Sequence, residues 1–277
     1  MKIPFVKMHG LGNDFVLLDE RDRSFDLDRE SLSLLADRRL GVGCDQVLSI
    51  EAAGAPRAVA RYRVFNADGT MAEHCGNGVR CVALYMERRG EVASDGIDIE
   101  IDKTVVHLNF EPDGQIRADM GQPRFSPSEI PMSAIDLQTR YQLEIEGETI
   151  EFGAVSLGNP HAVIQVEAVT DARVTPIGER FQHCSRFPRR VNVGFMQIVD
   201  RQLMKLRVYE RGVGETRACG TGACAAVAIG RRWDLLDDEV TVELTGGSLK
   251  IDWDGDPRHS MWMTGPATFV YEGTIEL

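Results

Sequence analysis

Residues 75–89 read CGNGVRCVALYMERR, and residues 219–233 read CGTGACAAVAIGRRW. Each stretch opens with a cysteine and a Gly-X-Gly run, continues with small and apolar residues, and carries paired arginines near its end. The pattern predicts two helices, one from near Gly76 to about Arg89 and one from near Gly220 to about Trp233. The surroundings repeat as well. Gly12-Asn13 returns 146 residues later as Gly158-Asn159, and Gln46 returns as Asn192 at the same interval. Asn66 and Glu210 each stand nine residues before their cysteine, at the end of an apolar run. Gly/Asn turns recur by chance, but four matches at a near-constant interval point to a duplicated domain, with a site shared between the halves.

Around these landmarks the chain is dominated by short alternating or apolar runs bounded by Gly, Pro, Asn or Asp. Such runs read as strands; examples are Phe15–Leu18, Gln46–Ile50, Ala60–Phe65, Asn192–Val199, Met204–Tyr209 and Val240–Leu244. Two lesser helices are expected, one over Ser31–Leu40 and one around Ile177–His183. The segment 121–131 (GQPRFSPSEIP) reads as a linker, and the tail beyond Gly265 has no partner in the repeat, which suggests that it returns to the first domain. The expected domains are residues 1–119 plus 266–277, carrying Cys75, and residues 120–265, carrying Cys219. The pattern alone supports an α+β class, because periodicity does not reveal which helix a sheet encloses.

Composition narrows the function. With 31 basic against 43 acidic residues the formal charge is −12, and no cluster of Lys or Arg exceeds a pair. That balance argues against nucleic acid or an anionic membrane as partner. No run approaches the roughly 18–20 apolar residues of a spanning helix. Pro4, His9 and Asp14 stand where a secretory leader would be apolar, so a cytoplasmic location is the default expectation. The six cysteines are then expected as free thiols, and none forms a C-x-x-C, so a zinc ribbon or dithiol redox motif is not supported and no metal is expected. Nucleotide-binding fingerprints are missing too, and no cofactor is expected.

The chemistry lies at the two helix starts. A thiol at a helix N-terminus sits in the positive end of the macrodipole, beside free N–H groups that lower its pKa. The same N–H groups can hold a carboxylate, and the glycines allow close approach. Two such units facing each other would hold an α-amino-acid carboxylate and place a thiol on either face of the α-carbon. One thiolate could remove the α-proton while the opposite thiol delivers another. Cys81 and Cys224, inside the helices, read as packing residues, as do Cys44 and Cys184. Taken singly, an Asn in a Gly-Asn turn is more often a turn former than a ligand, and a lone His is more often structural.

The segments HGLGNDF (9–15), FNADGTMAEHCGNGVRC (65–81), GNPHAV (158–163), VNVGFMQ (191–197), YERGVGETRACGTGACA (209–225) and MTGPATFVYEG (263–273) together resemble the diaminopimelate epimerase family. The resemblance runs nearly the length of the chain. It implies two pseudo-symmetric domains, each a strongly curved sheet wrapped around a central helix. It also implies Cys75 and Cys219 as the acid/base thiols, supported by His161 and Glu210. Substrate would be held by Asn13, Gln46, Asn66, Asn159, Asn192, Glu210 and Arg211, with the backbones of Gly76-Asn77 and Gly220-Thr221 taking the α-carboxylate. The implied activity is interconversion of LL- and meso-2,6-diaminopimelate without a cofactor. The implied assembly is a homodimer with Tyr271 at the interface. Competing readings are a cysteine-pair racemase for another amino acid, a non-catalytic two-lobed amino-acid binder, and a thiol–metal site. Asn and Gln supply both donors and acceptors, and Arg211 a carboxylate contact, which suits a substrate with a charged far end.

Overall fold

The computed structural model describes residues 1–277 except 73–75, 103 and 135. The chain divides into two compact units, Met1–Asp119 with Gly265–Leu277, and Met120–Thr264.

The first unit runs β1 (Lys2–Gly10), β2 (Asn13–Asp19), α1 (Arg29–Ala36), β3 (Gln46–Glu51), β4 (Ala60–Asn66), α2 (Gly76–Arg88), β5 (Ile97–Ile101), β6 (Thr104–Phe110) and β7 (Ile116–Asp119). The second runs β8 (Tyr141–Ile145), β9 (Glu148–Ser156), β10 (Pro160–Gln165), α3 (Val174–His183), β11 (Asn192–Asp200), β12 (Leu203–Glu210), β13 (Gly214–Thr216), α4 (Gly220–Arg232), β14 (Glu239–Leu244), β15 (Gly247–Asp252) and β16 (Trp262–Gly265). The last strand, β17 (Thr268–Glu276), returns to pair antiparallel with β1.

The duplication is explicit in the pairing. In the first unit β1–β2 is antiparallel, β2–β3 parallel, β3–β4 antiparallel, β4–β5 parallel, and β5–β6–β7 antiparallel. The second unit repeats that series with β9, β10, β11, β12, β14, β15 and β16. The register repeats too: Phe15 stands across from Gln46, and His161 across from Asn192. Strand β17 flanks β1 as β8 flanks β9.

Each sheet encloses its cysteine-headed helix. Helix α2 touches β1, β2, β4, β5, β7 and β17, and α4 touches β9, β10, β11, β12 and β15. Every residue of α4 from Gly220 to Gly230 is buried, which is why the sequence there is small and apolar all round rather than striped. Gly153 of β9 lets the sheet come down on this helix: a Cβ there would lie 2.5 Å from Ile229 Cγ2. Helices α1 and α3 pack on the other side of their sheets. Leu32, Leu35 and Ala36 join Val16, Leu18 and Val47, while Phe181 joins Phe152, Phe187 and Phe195. Phe152 meets Phe181 edge-on at 5.2 Å between ring centres.

With both faces covered, β2 is buried from Phe15 to Leu18 and β11 from Asn192 to Met196, as continuous apolar runs rather than alternations. Helix α1 is shorter than its apolar spacing predicts. The Asp28 carboxylate caps its start by accepting from the Ser31 N–H at 2.8 Å. At the other end Asp37 turns extended and its carboxylate accepts from the N–H groups of Arg39 and Leu40, so the chain leaves the helix there. Among the described residues, no helix is long and apolar enough to cross a membrane.

Candidate active site

In the second unit, the end of β12 and the start of α4 bring Glu210 and Cys219 together. Cys219 is the N-cap of α4, with extended backbone, and is only 5% exposed. Its thiol is not activated in the way its helix position predicts. Burial pushes its pKa well above the ordinary thiol value, and the charge of Glu210 pushes it further. The Thr221 hydroxyl, 3.7 Å from Sγ, and the Gly222 N–H pull the other way without prevailing. Desolvation and a like charge therefore outweigh the helix terminus, and Cys219 rests as a neutral thiol that donates to the Glu210 carboxylate.

That carboxylate is held from several sides. The Thr216 hydroxyl of β13 donates to Glu210 Oε1. The hairpin closing β12 onto β13 sets Glu210 across from Gly214, which has φ of 101°. Gln182 of α3 donates to the Glu210 carbonyl at 3.2 Å and to that of Val191 at 3.1 Å, tying the strand end in place. Neither Thr216 nor Gln182 stands out in the sequence; each acquires meaning only from its position beside Glu210. Gly222 is a third such residue. A Cβ there would lie 3.2 Å from Cys219 Sγ and 3.1 Å from Val208 Cγ2, so the glycine makes room for the thiol.

A hydrogen-bonded line runs from Cys219 into the sheet. Asn159 Nδ2 donates to Thr221 Oγ1 at 3.3 Å, and Asn159 Oδ1 lies 2.9 Å from His161 Nε2. A carbonyl oxygen accepts only, so His161 carries its proton on Nε2. His161 is 1% exposed, and burial, seconded by the positive charge of Arg211, lowers its pKa to about 3. It is a neutral imidazole at any physiological pH. Asn192 accepts from the Arg211 N–H at 2.8 Å and donates to the Pro160 carbonyl at 3.3 Å, while Arg211 Nη1 reaches the Arg189 carbonyl at 3.1 Å. Cys219, Gly220, Thr221, Glu210, Asn159, His161, Asn192 and Arg211 thus form one group around the start of α4.

The first unit gathers its own set around the start of α2. Asn77 Nδ2 donates to Asn13 Oδ1 at 3.3 Å, the counterpart of the Asn159–Thr221 contact. Gln46 Nε2 donates to Asn66 Oδ1 at 3.3 Å, and Asn66 Nδ2 to Thr70 Oγ1 at 3.2 Å. Beneath them lies Arg80, fully buried, donating to Asn77 Oδ1 at 2.8 Å and to the Gly76 carbonyl at 3.1 Å. The signal for Arg80 was present as a lone charge within an apolar helical segment. Cys75 itself, with Glu73 and His74, lies outside the described residues. Tyr271 stands on β17, 45% exposed, with its ring edge-on to Phe5 at 6.0 Å.

Comparison with known proteins gives the group a family. The diaminopimelate epimerase family matches residues 5–126 and 153–270. The chain is 54% identical over 278 residues to the diaminopimelate epimerase of Thioalkalivibrio sulfidiphilus, covering the whole of both. It is 52% identical to that of Halorhodospira halophila, over 99% of this chain and 95% of the other. Among solved structures, a hydroxyproline epimerase from Agrobacterium vitis superposes with a TM-score of 0.72 at 14% identity, covering 99% of this chain and 92% of that one. A probable proline racemase from Agrobacterium radiobacter K84 gives 0.73 at 14%, with 99% and 93% covered. At that distance these two structures speak for the fold.

Proposed function

Because the chain belongs to the diaminopimelate epimerase family, we propose that it interconverts LL- and meso-2,6-diaminopimelate by proton transfer at the α-carbon, with Cys75 and Cys219 as the two acid/base groups. The observation that carries the mechanism is the contact between the Cys219 thiol and Glu210 at the start of α4. A resting thiol beside a carboxylate can work in both directions. When Cys219 acts as acid, its S–H proton goes to the α-carbon and the proton removed from the opposite face stays on Cys75. When Cys219 acts as base, Glu210 takes the thiol proton first. The thiolate then abstracts the α-proton, and the Cys75 thiol supplies the new one. Either way the number of protons is conserved: in the first direction the two thiols exchange protonation states, and in the second the proton held on Glu210 balances the thiolate left on Cys75.

The other residues hold the reacting centre. The N–H groups of Gly76-Asn77 and Gly220-Thr221 take the α-carboxylate and stabilise the charge that develops on it as the α-proton leaves. Asn13, Gln46, Asn66, Asn159, Asn192, Glu210 and Arg211 bind the remainder of the zwitterionic substrate. Neutral His161 orients the Asn159 amide. A proline-type racemase reading would leave Arg211 and these amides without a charged distal group to bind, so the diacid is preferred.

The test is isotopic. In heavy water with LL substrate and reductant, product should carry deuterium at the inverted centre while early unreacted substrate stays almost unlabelled. Equal labelling of both pools would point to a single shared base and sink the two-thiol mechanism. We further propose that the protein acts in the cytoplasm as a homodimer through β17. Support comes from the exposed Val270 and Tyr271 on a strand that pairs with β1. Light scattering of wild type and Tyr271→Ala decides this; an unchanged mass in both removes Tyr271 from an interface.

A further inference from the structure

We propose that Asp45 is a positioning residue that fixes the Asn13 carboxamide for substrate, and that Lys7, Asp14 and Arg38 exist to hold Asp45 in place. The inference rests on reading Asn13 as a substrate contact.

Asn13 Nδ2 donates to Asp45 Oδ2 at 3.2 Å. An ionised carboxylate only accepts, so it forces the amide nitrogen toward itself and turns Oδ1 toward Asn77. Asp45, at the surface with its side chain 46% exposed, is in turn held at both carboxylate oxygens and at its N–H. Its Oδ1 accepts from Arg38 Nη2 at 2.7 Å, and its Oδ2 also accepts from the Asp14 N–H at 3.2 Å. Its own N–H points back to Asp14 Oδ1 at 3.0 Å. Arg38 forks onto both oxygens of Asp14, at 2.7 and 3.0 Å. Lys7, buried in β1, closes the far side at 2.6 Å from Asp14 Oδ2 and reaches the Gly43 carbonyl.

The duplicated fold shows that this cluster is not needed to build the unit. At the 146-residue interval the second unit has Pro160 for Asp14 and Val191 for Asp45, both buried. The same strands pair in the same register there without any of these charges. In that half His161 does the corresponding work from the other side. It donates to the Asn159 oxygen and sends the Asn159 nitrogen to Thr221. The two asparagines are therefore held with opposite amide orientations, one by a carboxylate and one by an imidazole. An unclamped amide would spend part of its time flipped, presenting a donor where substrate needs an acceptor, and binding would weaken.

The test is a double-mutant cycle in the full-length enzyme, read as KM and kcat for LL-diaminopimelate. Asp45→Ala should raise KM about fivefold with kcat within about twofold, the size expected for one hydrogen bond. Asn13→Ala should raise KM at least as much, and the double variant should match Asn13→Ala alone, because Asp45 acts only through Asn13. Asp45→Asn, which keeps one acceptor oxygen and the shape, should recover most of the loss. Additive KM effects in the cycle overturn the proposal, as does an Asp45→Asn variant no better than Asp45→Ala. If Asn13→Ala leaves KM unchanged, the substrate-contact reading of Asn13 falls and the role of Asp45 falls with it.

Discussion

Strand β2 of the first unit and strand β10 of the second follow the same course in the same register, yet β2 carries Phe15 where β10 carries His161. Strand β4 ends on Asn66 and β12 on Glu210. Within α2 the first unit buries Arg80, while the corresponding position of α4 is Cys224, equally buried. The second unit thus keeps a titratable carboxylate against its thiol and a neutral imidazole one amide away. Among the described residues, the start of α2 has amides, a hydrocarbon ring and a buried arginine in the corresponding places. One duplicated fold has therefore produced two chemically different surroundings. Cys219 thus has a carboxylate and an imidazole nearby whose sequence counterparts in the first half, Asn66 and Phe15, cannot titrate.

The largest effect tests whether both halves are needed at all. Cys75→Ala and Cys219→Ala should each lower kcat by roughly 10³-fold, within the range for a missing general acid or base. Calorimetry should still show substrate binding. Near-wild-type turnover in either variant would break the comparison at its root. Serine in either place should be nearly as poor.

The next test removes the carboxylate that stands against Cys219 in the second half. Glu210→Gln should lower kcat by about 10²-fold, because nothing remains to take the Cys219 proton. The same change removes the charge that helps raise the Cys219 pKa. Alkylation of Cys219, followed by peptide mapping, should therefore begin at lower pH than in wild type. An onset unchanged or moved upward would show that Glu210 does not govern this thiol.

His161→Phe imports the residue of the first half. His161 has a native pKa of about 3 against an ordinary 6.5, so the unfolded chain binds more protons throughout that window. Native stability is then complete above pH 6.5 and falls as pH drops toward 3. At pH 5 the loss should be about 2 kcal/mol relative to neutral pH. Denaturant titrations at pH 7 and pH 5 should show that difference in wild type and a smaller one in His161→Phe. Equal pH slopes would mean that the imidazole is not buried neutral.

The smallest effect concerns the room left for the thiol. Gly222→Ala puts a methyl 3.2 Å from Cys219 Sγ, and the thiol must shift. Overpacking of this kind typically costs about 1–3 kcal/mol, and turnover should fall about tenfold with KM little changed. Turnover unaffected by the methyl would show that the thiol position is not critical to a few tenths of an ångström.

Some features were legible because they are local or repeat. The helix starts at Gly76 and Gly220 announce themselves through small residues after a strand and before an apolar run. The 146-residue interval needs only counting. Several strands were not legible. In β1 the buried Lys7 interrupts the apolar pattern, and its neutralising partner Asp14 lies on the next strand. In β9 the small residues Gly153 and Ala154 look like a turn, but they are small because α4 presses on them. The three-residue β13 has no periodicity to detect, although it carries the hydroxyl that steadies Glu210.

By itself, the sequence determined that the protein is a duplication, where its two enclosed helices begin, which thiols head them, and which family it belongs to. Those properties follow from residue order and from interactions within one turn or one strand. Only the tertiary structure decided that Cys219 rests protonated, that His161 is neutral, that Arg80 is buried beneath Asn77, and which way each asparagine amide points. These depend on how completely water is excluded and on charges that meet through space. Glu210 and Cys219 are nine residues apart in the chain, and Asp45 and Asn13 thirty-two. No spacing rule records that a helix terminus favouring a thiolate has been overruled by burial and a neighbouring carboxylate.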